Sequence, residues 1–224
     1  MGNIRIPLEP DRYYHIFNHA VGKDNLFKCD DNYLFFLKRY QQHILPIADT
    51  FAYCLMPNHF HLLVRIKLLK DLVNPRGFKN LINLRGFKNP GGLDFGLTTG
   101  LRDLKVEHFL SHTFGSLFNS YTKAFNKQQN RKGKLFLENF ERKLINEESY
   151  LRNIIQYIHF NPVYHGFVND LRDWKYSSFQ CFLTTKATDV KRDEVIEWFN
   201  GKENFLAFHH QEMDEKLILE MEYI

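Results

Sequence analysis

Residues 51–66 read FAYCLMPNHFHLLVRI, and their pattern decides the fold. Phe51–Met56 and His59–Ile66 are short runs rich in aromatic and branched residues, as strands are, and the Pro57-Asn58 pair between them is a turn signal. The stretch is therefore a β-hairpin. Within its second strand, His59 and His61 are two residues apart, so both imidazoles project from one face while Phe60 projects from the other. Two imidazoles side by side can hold a divalent cation; an exposed polar face carrying two unremarkable histidines has the same pattern.

Working outward, Tyr13–Ala20 (YYHIFNHA) is a further strand, on which His15 and His19 share a face without an assigned role. Asp31–Ile44 has apolar residues at helical spacing ahead of Pro46, and Lys105–Gln128 has them again at Val106, Phe109, Phe114, Leu117, Phe118 and Tyr121. Leu135–Ile145 reads as a strand. Glu147–Asn161 reads as a helix, with Asn146 as its cap, Glu147 and Glu148 at its positive end and Pro162 as its stop. The order β-α-β-β-α-β-α is that of an α+β fold, a ferredoxin-like sandwich with an antiparallel sheet. Residues 1–180 would form this domain, and 181–224 an acidic C-terminal extension with appended helical elements. Between the hairpin and the second helix, residues 67–104 hold 6 of the 12 glycines and a near repeat, Arg76-Gly77-Phe78-Lys79-Asn80 and Arg85-Gly86-Phe87-Lys88-Asn89. A period of nine used twice is too short for a solenoid, so an inserted loop is expected.

With 224 residues, 44% hydrophobic and 25% charged, the chain can bury a proper core, which excludes a disordered or collagen-like protein. Cys29, Cys54 and Cys181 are far apart and lack CxxC spacing, as expected of reduced thiols. Neither an apolar leader in MGNIRIPLEP nor a run of about 18 apolar residues is present, so a cytoplasmic protein with no membrane contact is expected. The formal charge is +4, but it is unevenly spread: residues 191–224 have 9 acidic against 4 basic side chains, a net of −5, leaving +9 on residues 1–190. A cationic body suggests a polyanionic partner. From Lys123 to Lys143 the cations Lys123, Lys127, Arg131, Lys132, Lys134, Arg142 and Lys143 interleave with Phe125, Phe136 and Phe140. That mix suits phosphate neutralisation with base stacking, and it also suits a solvated turn over core phenylalanines.

Tyr157 and Asn161 lie four apart, adjacent on one helix face and on the flank of the stripe Leu151, Ile154, Ile155 and Ile158. Alone they could be a core-edge tyrosine and a helix cap. His108 and His112 share a helix face without an accompanying acid, and read as ordinary helix histidines.

Taken in order, Met56-Pro57-Asn58-His59-Phe60-His61-Leu62-Leu63-Val64 resembles the HUH motif (His, hydrophobic, His) of single-tyrosine transposases. Tyr157-Ile158-His159-Phe160-Asn161-Pro162-Val163-Tyr164-His165-Gly166 is similar to the catalytic-helix signature of their REP-associated branch. The resemblance runs from about Tyr13 to Ser178 and takes in Trp174-Lys175-Tyr176-Ser177-Ser178. It implies a DNA transposase: a metal-dependent endonuclease and strand transferase acting on single-stranded DNA that carries a hairpin, working as a homodimer paired edge to edge. In that case His59, His61 and Asn161 would ligate Mg²⁺ or Mn²⁺, and Tyr157 would be the nucleophile that forms a 5′-phosphotyrosine. Tyr121 is the alternative nucleophile, but Phe125 occupies the position four residues on where an amide or carboxylate is wanted. Two other classes remain open: a catalytically inactive single-stranded nucleic-acid-binding protein, and a metal-dependent phosphohydrolase that uses water.

Overall fold

Alternation along the strands sorts their side chains into two layers. Our computed structural model describes residues 6–72, 95–137 and 140–222. Its elements are β1 (Tyr13–His19), α1 (Asp30–His43), β2 (Ala48–Leu55), β3 (His59–Ile66), α2 (Phe95–Gln128), β4 (Glu141–Ile145), α3 (Glu148–Tyr164), α4 (Phe179–Leu183), α5 (Arg192–Trp198), α6 (Lys202–His209) and α7 (Glu215–Glu222). The strands form one antiparallel sheet in the order β2-β3-β1-β4. This is the α+β ferredoxin-like sandwich read from the sequence, with C-terminal helices appended.

One face of the sheet, carrying Tyr14, Ile16, Phe60, Leu62 and Val64, packs on Phe36 and Tyr40 of α1 and on Leu110, Phe114, Leu117 and Tyr121 of α2. The other face, carrying Phe51 and Leu63, meets the α3 stripe Leu151, Ile154, Ile155 and Ile158. Val195, Phe205, Ile218 and Met221 of α5 to α7 join that second core, so the acidic C-terminal helices are packed on α3.

A chain of buried hydrogen bonds anchors them. His209 Nδ1 donates to the Phe205 carbonyl at 2.8 Å, which leaves its Nε2 bare to accept from His159 Nδ1 at 2.9 Å. His159 Nε2 then accepts from Ser178 Oγ at 2.8 Å; the hydroxyl has one proton, and this acceptor is nearer than the Tyr53 carbonyl at 3.2 Å. The Ser178 oxygen finally accepts from the Tyr53 amide at 2.8 Å. Every proton in the chain has one place to go.

The exposed side of β2 is also occupied by the chain itself. Leu55 N–H donates to Tyr176 O, Ser178 N–H to Tyr53 O and Lys191 N–H to Thr50 O. Those bonds satisfy what would otherwise be an open sheet edge.

Four sequence expectations are corrected. The strand at Leu135–Ile145 is confined to Glu141–Ile145, with only a single bridge from Phe136 to Ala20 ahead of it. Part of the expected loop 67–104 is helical, because α2 begins at Phe95; the Arg-Gly-Phe-Lys-Asn repeat lies outside the described residues. The helix N-cap is Glu147, which makes no side-chain capping bond, rather than Asn146. Finally, α3 passes through Pro162 to Tyr164. Proline lacks one amide proton and does not oblige the chain to leave the helix. The helix ends at Gly166, whose φ of 69° is left-handed, with Gly166 N–H donating to Val163 O and Phe167 N–H to Pro162 O.

Candidate phosphoryl-transfer site

β3 and α3 bring together the residues that the two motifs separate by about a hundred positions. Antiparallel pairing sets His19 opposite His59 and Phe17 opposite His61. His19 and His59 therefore stack with ring centroids 4.7 Å apart, and Phe17 lies 5.7 Å from His61. His59 and His61, on one face as their spacing predicts, are 5.1 Å apart and nearly perpendicular. Above them α3 presents Tyr157, whose ring stands nearly perpendicular to those of His61 and His15, with centroids 5.2 Å and 6.0 Å away. One turn on, Asn161 Oδ1 is 2.8 Å from His59 Nε2.

The cluster is closed. His15, His59, His61, Tyr157 and Asn161 are all at most 3% exposed. Exposed Asn58 and His165, with half-buried His19, form the rim on the hairpin side. Burial pushes the imidazoles of His15 and His59 down to about 3, the Asn161 contact partly opposing this for His59, and it holds His61 and His19 below the usual histidine range as well. These histidines are therefore neutral at pH 7. A neutral imidazole keeps a lone pair, which is the form that binds a cation.

His59 Nδ1 lies 2.8 Å from Asn58 Oδ1. A proton held there would leave Nε2 bare beside the Asn161 oxygen. The 2.8 Å between those two atoms is close to the spacing of adjacent corners of an octahedron, about 3 Å for ligands at about 2.1 Å. Asn161 Nδ2 is buried and makes no hydrogen bond among the described residues. Two neutral nitrogen donors, an amide oxygen and an unsatisfied amide nitrogen fit a site built to change its bonding when a divalent cation enters. No group of three or more His, Cys, Asp or Glu side chains with metal-holding geometry is found among the described residues.

The remaining sequence candidates separate. Tyr121 lies on the opposite face of the sheet, in the core between α1 and α2, and its hydroxyl donates to the Leu26 carbonyl at 2.5 Å. Burial raises its pKa, and among the described residues no histidine lies in the ring cluster around it. Arg142 has its side chain 3% exposed and is held by Glu107 at 3.1 Å and by Ser111 at 2.6 Å. Arg131 pairs with Asp24 at 2.9 Å, and Lys143 donates to the Glu220 carbonyl at 3.0 Å. Lys123, Lys127, Lys132 and Lys134 are exposed near the C-terminal end of α2. Lys134 borders a groove that Asn18, Phe118, Asn119, Phe136 and Phe140 also line. The expected basic surface thus divides into a structural half and an exposed half. His15, left unassigned from the sequence, is part of the cluster; the signal was its place on the same strand face as His19, and what was missing was the pairing of β1 with β3.

An antiparallel sheet with an HxH pair on an inner strand is covered by a helix that carries Tyr-x-x-x-Asn, as the resemblance to HUH single-tyrosine enzymes leads one to expect. The chain is similar in sequence and in fold to REP-associated tyrosine transposases. No family profile matches. The chain is 28% identical over 155 residues to a Haemophilus influenzae protein named as a candidate REP-associated tyrosine transposase, covering 68% of this chain and 67% of that one. Its fold is similar to that of a REP-associated tyrosine transposase solved bound to a REP hairpin, with a TM-score of 0.52 at 17% identity, covering 85% of this chain and 94% of the other. Among the described residues no helix is long and apolar enough to cross a membrane.

Proposed function

We propose that this protein is a DNA transposase that nicks and rejoins single-stranded DNA beside a hairpin through a tyrosine-linked intermediate. The observation that carries the proposal is the convergence of His59, His61, Asn161 and Tyr157 on one sheet face. The hairpin substrate comes from the solved relative, which holds one.

In this reading Tyr157 Oη attacks the scissile phosphorus, forms a 5′-phosphotyrosine and expels the 3′ oxygen, on which the hydroxyl proton ends. A divalent cation, Mg²⁺ or Mn²⁺, would neutralise charge developing on the phosphate when bound by His59, His61 and Asn161. His59 and His61, being neutral, offer lone pairs to it. The α3 backbone fixes Tyr157 one turn from Asn161, so nucleophile and ligand keep a set separation. Tyr157 is 1% exposed, and its ring or the rim at Asn58 and His165 must move to admit DNA. The phosphotyrosine bond conserves the energy of the cleaved bond, so a 3′-hydroxyl rejoins the strand by the reverse step. Lys123, Lys127, Lys132 and Lys134 would neutralise the backbone of the bound strand. Because the chain's own residues cover β2, edge-to-edge pairing of two copies is confined to β4.

The test is incubation of the purified protein with end-labelled single-stranded hairpin oligonucleotides and Mn²⁺, followed by a denaturing protein gel. A labelled covalent adduct that needs the cation and disappears in Tyr157→Phe supports the proposal. Cleavage with no adduct would replace it with a water-using phosphohydrolase, and hairpin binding with no cleavage would replace it with a binding protein.

A further inference from the structure

We propose that His15 is a positioning residue that accepts the Nδ1 proton of His61, so that the Nε2 atom of His61 has a lone pair for the cation. This rests on the reading of His59, His61 and Asn161 as cation ligands.

His15 Nε2 is 2.9 Å from His61 Nδ1, with both rings buried and their centroids 5.1 Å apart. At that distance a single proton lies between the two nitrogens, since two N–H groups would clash and two lone pairs would repel. Two arrangements of the neutral pair follow. If His15 donates from Nε2, His61 must carry its own proton on Nε2, and that nitrogen cannot ligate. If His61 donates from Nδ1, its Nε2 is bare and ligand-ready, and His15 carries its proton on Nδ1.

His15 Nδ1 is buried and has no hydrogen-bond partner among the described residues, so it is unmatched in both arrangements, as a lone pair in the first and as an N–H in the second. A cation on His61 Nε2 admits only the second arrangement, in which His15 Nε2 accepts from His61 Nδ1. His15 has the same number of protons in both, so it acts as an acceptor whose presence lets His61 turn its proton inward. Its ring also lies 6.0 Å from that of Tyr157, nearly perpendicular to it, and Tyr157 sits 5.2 Å from His61. Metal-bound histidines generally donate their second ring nitrogen to such a partner, and loss of the partner weakens metal binding about 10- to 100-fold.

Two measurements on the full chain test this. Titration calorimetry with Mn²⁺ is expected to show affinity about 10- to 100-fold weaker in His15→Leu, largely restored in His15→Gln, whose amide oxygen takes the place of Nε2. Histidine ¹⁵N NMR of the wild-type protein is expected to show His61 protonated on Nδ1 once Mg²⁺ is bound, a readout that requires no variant to fold. Unchanged Mn²⁺ affinity in His15→Leu alongside a loss in His59→Ala would overturn the role of His15 alone, as would an Nε2-protonated His61 with Mg²⁺ bound. Absence of Mn²⁺ binding in the wild type, or undiminished binding in His59→Ala, would overturn the ligand reading and this inference together.

Discussion

Two buried histidine clusters lie on the same side of the sheet, and they are built to opposite rules. In one, His159, His209 and Ser178 pass hydrogen bonds from one to the next until every proton and lone pair used is matched. In the other, His15, His59, His61 and Asn161 are equally buried, yet His15 Nδ1 and Asn161 Nδ2 have no partner among the described residues. Burying an unmatched polar atom costs about 1–3 kcal/mol, so a fold retains one where it serves something other than stability. The satisfied cluster fastens the C-terminal helices to α3. In the proposed function, the unsatisfied one is prepared for a ligand.

The largest effect should come from breaking the unsatisfied cluster at its proposed nucleophile. Tyr157→Phe is expected to lower strand cleavage on the order of a thousandfold or more while leaving thermal stability nearly unchanged, checked by gel-based cleavage rates beside calorimetric melting. Tyr121→Phe should do the reverse, reducing stability by about 1 kcal/mol through loss of the bond to Leu26 while sparing cleavage chemistry.

Breaking the satisfied cluster should be a matter of stability. His159→Leu strands both Ser178 and His209, and is expected to cost about 3 kcal/mol in denaturant unfolding without changing Mn²⁺ affinity. A fall in Mn²⁺ affinity with stability intact would erase the distinction between the clusters.

Acid should weaken both clusters together. Burial holds His15 and His59 near 3 and His209 near 4, against 6.5 for a free imidazole. As pH falls below about 6.5 the unfolded chain takes up protons that the folded chain refuses until pH 4 to 3, so this contribution to stability is whole above pH 6.5 and is lost across that window. Melting temperature should therefore decline from pH 6.5 to pH 4, and less steeply in His209→Gln. A flat profile would mean that the imidazoles are not held neutral. The smallest effect concerns the cation: two imidazole donors should favour Mn²⁺ over Mg²⁺ by a modest factor in competition calorimetry.

How much of this was legible in the sequence depends on the range of each signal. Local periodicity showed that His59 and His61 share a face and that Tyr157 and Asn161 lie one helical turn apart, and the structure keeps both. Joining the two motifs took the resemblance, because nothing in the spacing of two segments a hundred residues apart says that they meet. His15 escaped assignment for the same reason: its partner is 46 residues away, and only the β1–β3 register brings them to 2.9 Å. Arg142 had the look of a DNA-binding cation, but its strand directs it to Glu107 and Ser111 on α2. Pro162 failed as a stop signal because a proline forfeits one amide bond, whereas Gly166 supplies the left-handed turn that closes the helix.

The central claim is that Tyr157 is the nucleophile of a cation-supported phosphoryl transfer, and mass spectrometry of the adduct tests it most directly. Wild-type protein incubated with Mn²⁺ and a single-stranded hairpin oligonucleotide would be digested with nuclease and protease and its peptides sequenced. The account predicts a phosphonucleotide on the peptide containing Tyr157, and none when Mn²⁺ is withheld. A nucleotide on Tyr121, or cleaved DNA with no modified peptide, would contradict it.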